Sequence, residues 1–188
     1  DPADTRQHAT AIFAGGCFWG VEGVFSHVRG VTQVVAGYHG GTAATARYAS
    51  VSRGDTGHAE AVRVTYDPRV VSYGTLLRVY FSVIVDPTQV DRQGPDSGRQ
   101  YRSAIVPAND NQRRVAAAYI AQLTQARLWD RPIATRIEPP RTFYRAEAEH
   151  QDFMRLNPDN PYIQRWDAPK LVALRRLYPA LYEVRSAR

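Results

Sequence analysis

Residues 10–30, TAIFAGGCFWGVEGVFSHVRG, set the frame for the rest of the chain. Residues 10–14 form an apolar run of strand length that the pair Gly15-Gly16 brings to an end. Beyond the pair, Phe18, Val21, Phe25 and Val28 recur at the spacing of one helix face, and Gly30 stops that helix. Cys17, the single cysteine in 188 residues, therefore stands where a strand turns into a helix.

Outward from this junction, residues 31–36 read as a second strand, and Gly37-Tyr38-His39-Gly40-Gly41 opens a long loop that continues to about His58. Long loops in compact domains are often functional. In residues 60–66 the alternation puts Val62, Val64 and Tyr66 on one strand face and Ala61, Arg63 and Thr65 on the other. Glu60 shares the parity of the apolar face. Ser72 suits the cap of a helix over residues 73–83, with Leu76, Leu77, Tyr80 and Ile84 as its apolar stripe. A polar loop over 86–100 leads to a strand at 101–106 and a helix at 111–125. A strand at 133–138 and helices at 146–156 and 169–177 follow. Strands without tight hairpins, interleaved with helices, predict a two-layer α/β or α+β sandwich.

Length suits one domain, and no internal repeat or low-complexity linker divides it. Residues 1–9 read as a polar leader, which fits either a trimmed start or a removed export signal, 10–178 as the catalytic domain and 179–188 as a tail. No apolar run approaches the roughly 20 residues of a membrane span. The net charge of +6 invites a nucleic-acid reading, but Lys170 is the only lysine and the arginines are scattered, not clustered. With one cysteine there is no internal disulfide and no multi-thiolate metal site.

Taken alone, one cysteine is more often a small buried hydrophobe than a reactive group. Its setting reverses that expectation, because unpaired N–H groups and the positive dipole end at a helix start favour a thiolate. GGCFWGVEG carries neither nucleotide-binding glycine pattern, so a phosphate cradle is excluded. A cysteine hydrolase stays open, with His8, His27, His39, His58 and His150 as candidate bases. Glu147-x-x-His150 looks like half of a helical metal motif without its second copy, and reads as structural.

Five motifs then occur in order: Gly16-Cys17-Phe18-Trp19-Gly20; Gly37-Tyr38 with Gly40-Gly41; Gly54-Asp55-Thr56-Gly57-His58-Ala59-Glu60-Ala61-Val62; Arg92-Gln93-Gly94; and Gln100-Tyr101-Arg102-Ser103-Ala104. Together, from about Ala11 to at least Leu156, they resemble the peptide methionine sulfoxide reductases of the A type. The resemblance implies an α+β domain with a ferredoxin-like mixed sheet. It also implies reduction of the S-epimer of methionine sulfoxide, free or in proteins, without a bound cofactor or metal. Carried over position by position, Cys17 is the nucleophile and Glu60 the acid that protonates the sulfoxide oxygen. Tyr48 and Tyr101 hydrogen-bond that oxygen, Asp96 is a polar positioning residue, and Phe18 and Trp19 enclose the S-methyl group. The residues agree at Glu60, since a carboxyl on an apolar strand face is desolvated and holds its proton toward neutrality.

Many relatives of that type carry further cysteines near the C-terminus that resolve the oxidised nucleophile. This chain resembles the single-cysteine members, with Asn157-Pro158-Asp159-Asn160-Pro161-Tyr162-Ile163 leading through Arg165-Trp166-Asp167-Ala168-Pro169-Lys170 to a helical end. After turnover Cys17 is expected to remain as sulfenic acid until an external thiol of the thioredoxin, glutaredoxin or glutathione kind reduces it. Val85 before Asp86-Pro87 and Arg99 before Gln100 depart from the type; Arg99 is expected to bear on how a peptide approaches. A monomer is expected. A cysteine hydrolase or acyltransferase, and a basic nucleic-acid-binding domain, are the competing classes.

Overall fold

A computed structural model describes residues 7–184. The leader residues 1–6 and tail residues 185–188 lie outside the described part. The strands are β1 (Ala9–Gly15), β2 (Val31–His39), β3 (Ala59–Tyr66), β4 (Arg92–Gln93), β5 (Asp96–Ser97), β6 (Ser103–Val106), β7 (Arg136–Ile137) and β8 (Phe143–Arg145). The α-helices are α1 (Phe18–Ser26), α2 (Tyr48–Val51), α3 (Tyr73–Val79), α4 (Asp110–Ala126), α5 (Phe153–Leu156) and α6 (Ala168–Leu177). One mixed sheet runs in the order β7-β6-β1-β3-β2-β8, with β4 and β5 forming a separate hairpin. Within the sheet only β6 and β7 are parallel. No described helix is long and apolar enough to cross a membrane.

The two faces of the sheet differ as the alternation in β3 predicts. Val62, Val64 and Tyr66 join Phe13 of β1 in the main core, which α1 and α3 cover. The Phe13 ring stacks on Phe25 of α1 at 4.9 Å and packs against Tyr80, just past α3, at 5.3 Å. On the opposite face Ala14, Ala59, Ala61 and Ala104 make a smaller cluster under Phe143. Burial of the large side chains on one face supplies most of the stabilisation, at about 25 cal/mol per Å² of apolar surface removed from water.

Several predicted boundaries move. Helix α1 ends at Ser26, four residues before Gly30, because Val28 pairs with Tyr182 instead of continuing the helix. Ser72 caps α3 by accepting from the Thr75 N–H at 3.1 Å, but the helix widens into a π-turn over Tyr80–Ile84. The strand expected over 133–138 shrinks to two residues. The hairpin-free expectation fails at β4 and β5, which pair across a tight turn. The helix expected over 146–156 is a 3₁₀ turn, Ala148–His150, then α5, broken by the left-handed Asp152 at φ 53°. Strand β8, which pairs with the end of β2, was not anticipated.

Candidate active site

The junction that opens the sequence is the centre of the site. Gly16 turns the chain from β1 into α1 at φ +86°, a value glycine adopts without strain, and a Cβ there would lie 2.6 Å from the Gln93 side chain. Cys17 occupies the N-cap of α1 and is half-buried, the single free thiol of the chain. Glu60 stands near the start of β3, facing the helix layer, and is 2% exposed. Its Oε2 accepts the Phe18 N–H at 3.0 Å, so the carboxyl is moored one residue beyond the thiol.

This arrangement overturns the expectation of a resting thiolate. Burial pushes the Cys17 thiol well above its usual range, and Glu60 and Asp167 push it the same way, outweighing the Trp19 backbone N–H that pulls it down. The helix-start field is real but shared: Glu60 takes the Phe18 N–H that would otherwise face the sulfur. Burial raises Glu60 in turn to about 8, against the downward pull of the Phe18 N–H. At neutral pH the site therefore holds two protons, one on sulfur and one on the acid.

The other predicted residues come from four separate segments. Tyr48 opens α2, with its ring 4.4 Å from His150 and its N–H donated to Glu147 Oε1 at 2.7 Å. Tyr101 closes the 3₁₀ turn Arg99–Tyr101. Burial raises both hydroxyls, and Glu60 raises them further, which places both within its field. Asp96 in β5 accepts the Tyr162 hydroxyl. Trp19 is half-buried and stacks on Phe153 at 3.7 Å, while its indole N–H donates to His150 Nδ1 at 3.1 Å. Phe18 is fully buried against Tyr38 and His150, so the aromatic surface open beside the thiol belongs to Trp19 and Tyr48.

Two contributors, Tyr162 and Asp167, were missed from the sequence, and a third, Glu147, was expected only as a structural residue. Tyr162 donates to Asp96 and sets its ring edge-on to Trp19 at 5.9 Å. Asp167 is fully buried and acts on Cys17. Glu147 bridges the site wall, accepting from the Tyr38 hydroxyl at 2.7 Å as well as from the Tyr48 N–H. Glu147 and His150 are thus engaged in holding aromatic residues, the structural task the sequence suggested. His58, a candidate base, has Nδ1 on the Gly41 N–H at 3.1 Å and Nε2 2.9 Å from the Thr42 carbonyl. Both ring nitrogens hold the loop, which leaves none for a nucleophile. Among the described residues no group of three His, Cys, Asp or Glu side chains could hold a metal ion.

Comparison with known proteins gives one consistent picture. The family model described as peptide methionine sulfoxide reductase matches residues 9–179. "Peptide methionine sulfoxide reductase MsrA 2" of Mesorhizobium japonicum is 58% identical over 173 residues, covering 92% of this chain and 89% of that one. The reduced form of Mxr1 from Saccharomyces cerevisiae superposes with a TM-score of 0.75 at 31% identity, over 85% of this chain and 91% of that one. A further Mxr1 structure, in complex with Trx2, superposes with a TM-score of 0.53 at 24% identity, over 81% and 89%.

Proposed function

Because the chain belongs to the peptide methionine sulfoxide reductase A family, we propose that its chemistry runs through Cys17 as nucleophile and Glu60 as acid. The protein reduces methionine sulfoxide to methionine and so repairs oxidised proteins. The S-epimer is the substrate. The observation that carries the residue assignment is the moored, protonated carboxyl: Glu60 keeps its proton to about pH 8 while its oxygen lies on the residue next to the thiol. A sulfoxide oxygen leaves only when protonated, and a group that still holds a proton at neutrality can deliver one.

The step balances without any cofactor. Glu60 passes its proton to the sulfoxide oxygen, the S–O bond to the substrate breaks, and an S–O bond to Cys17 forms. The substrate sulfur gains the electron pair, and methionine leaves. The thiol proton restores Glu60, so thiol plus sulfoxide becomes sulfenic acid plus sulfide. Tyr48 and Tyr101 donate to the oxygen, Asp96 is held in place by Tyr162, and Trp19, backed by Phe18, takes the S-methyl group. An external thiol then displaces the sulfenic oxygen as water, forming a mixed disulfide that a second thiol opens. Thioredoxin, glutaredoxin or glutathione supplies that thiol, since the described chain holds no second cysteine. The enzyme acts as a monomer. We also read β1, α1, β2, β3, α3 and β6 as a ferredoxin-like unit, supported by the central order β6-β1-β3-β2 with antiparallel neighbours.

The test is the intact mass of reduced protein after one equivalent of methionine S-sulfoxide, with no other thiol present and the R-epimer as control. One added oxygen on Cys17 and one methionine released, for the S-epimer alone, are expected, and Cys17→Ser should give neither. Freshly reduced protein that releases no methionine would refute the assignment.

A further inference from the structure

The C-terminal segment that packs back onto the site leaves one aromatic residue facing solvent. Trp166, in the turn Ile163–Asp167 just beyond Tyr162, is 36% exposed and leans on Gly94, where a Cβ would lie 3.7 Å from its ring. Gly94 belongs to the tight turn that joins β4 to β5. Both elements that meet at this contact also reach the active site. The hairpin sets Gln93 against Gly16, beside the nucleophile, and carries Asp96; the segment sends the Tyr162 hydroxyl to that same carboxylate. Trp166 therefore stands on the rim of the site, on the side of Asp96.

Three exposed arginines accompany this contact. Arg92 donates from Nη2 to the Gly94 carbonyl at 2.8 Å, so its guanidinium lies along the turn. Arg165 stacks over the Trp166 ring at 5.2 Å. Arg99 follows the open end of the hairpin, which the Gly98 N–H closes by donating to the Asp91 carbonyl at 2.8 Å. Among the described residues none of the three comes within ion-pair distance of a carboxylate. The acids of the same wall are engaged elsewhere: Asp96 with Tyr162, Asp167 with Lys170, and Asp91 with Arg136. The rim is thus a cationic patch with an aromatic face and no free anion of its own. A guanidinium stacked on an indole keeps its edge of N–H donors open, and the stack holds it in place before a ligand arrives. That edge matches a carboxylate.

We infer that the Trp166 rim, with Arg92, Arg99 and Arg165, is a subsite for the residues flanking methionine sulfoxide in a peptide, and that it favours glutamate or aspartate there. The inference rests on the Cys17 chemistry proposed above and extends it from the S-methyl pocket to the surrounding chain. Each exposed ion pair contributes up to roughly a fivefold preference and is screened by salt, so the arginines act as a group and most strongly at low ionic strength.

The test measures the second-order rate of methionine release in a single turnover, with reduced enzyme and no other thiol present. The substrates are end-blocked pentapeptides with methionine S-sulfoxide at the centre, flanked on both sides by glutamate or by lysine. N-acetyl methionine S-sulfoxide N-methylamide, which has no charge, reads the reaction without the subsite. Wild type should favour the glutamate peptide over the lysine peptide by on the order of tenfold, and about 0.5 M sodium chloride should remove most of that ratio. Arg92→Gln and Arg165→Gln should each shrink the ratio by roughly two- to fivefold, and the double variant should bring it close to one. Trp166→Leu, which removes the stack but no charge, should shrink it part of the way. The uncharged substrate should react equally in wild type and the arginine variants. Arg114→Gln, which removes the same charge from α4, should keep the wild-type ratio. Equal rates for the two peptides in wild type, or a ratio that survives in the double variant, would overturn the inference. Variants that slow only thioredoxin-driven turnover, with the ratio intact, would assign the patch to the reductant and overturn it as well. A wild type that releases no methionine even from the uncharged substrate would bring down the Cys17 reading and the inference with it, whereas one that reduces that substrate but treats both peptides alike brings down the inference alone.

Discussion

Glu60→Gln removes one proton from the site and little else, because the amide is the size of the carboxyl and its oxygen can still accept the Phe18 N–H. With Glu60 raised to about 8, the acid is about nine-tenths protonated at pH 7 and about one-tenth at pH 9. Cys17 stays a thiol over that range, since its own pKa lies well above the usual value. The wild-type rate of methionine release in a single turnover, with no other thiol present, should therefore fall roughly tenfold from pH 7 to pH 9. Glu60→Gln should be slower by on the order of 100- to 10,000-fold at pH 7, and it should lack the step near pH 8. Rapid-quench measurement across about pH 5.5–9.5 separates the outcomes. A variant within about threefold of wild type, or one that keeps the alkaline step, would refute the acid assignment. A wild-type rate that rises from pH 7 to pH 9 would show that the deprotonated sulfur is the reactive form.

The same carboxyl makes stability depend on pH. Its folded pKa lies above the unfolded one, so the stability is fully present below about pH 4.5 and is lost progressively as pH rises to about 8, by on the order of 5 kcal/mol. Urea midpoints at pH 5 and pH 9 should differ less in Glu60→Gln than in wild type, and an equal difference would place the titration elsewhere. Tyr48→Phe and Tyr101→Phe should each slow methionine release modestly. Their combined loss should exceed the product of the two if both hydroxyls hold one oxygen, and strict additivity in a double-mutant cycle would contradict that. Gly20→Ala drives a Cβ to within 2.1 Å of Asp167 Oδ1, so its melting temperature should fall by several degrees, as about 1–3 kcal/mol of overpacking requires. An unchanged melt would mean that the C-terminal segment gives way freely.

How much the sequence disclosed depends on how local each feature is. The β1–α1 junction is written in adjacent residues, and so are the two faces of β3, which is why Cys17 and Glu60 could be found and Glu60 assigned to the helix side. The site wall is not local. Tyr162 and Asp167 sit in a polar, proline-punctuated tail with no periodicity, and they matter because that tail packs back onto α1. Glu147 and His150 have helical spacing, but Asp152 in a left-handed conformation breaks the helix they suggested. Strand β8 is three residues long with no alternation to mark it, and its pairing with β2 defines it. The thiol was misjudged for a related reason. The field at a helix start can be read from a sequence, whereas the burial and the carboxyl groups that outweigh it come from residues 43 and 150 positions away.

That separation bears on how the enzyme comes into being. The bond that moors the acid joins Phe18 to Glu60, 42 residues apart, across central strands that must pair before the two can meet. Contacts of this kind form late, because the loop between them must be closed before the contact repays its entropy. Until then a newly made or refolding chain carries its sulfur without its acid. During refolding, methionine release in a single turnover should return only with the final, slowest phase, after helix signals have recovered, so that the ability to repair would itself be the last mark of a finished fold.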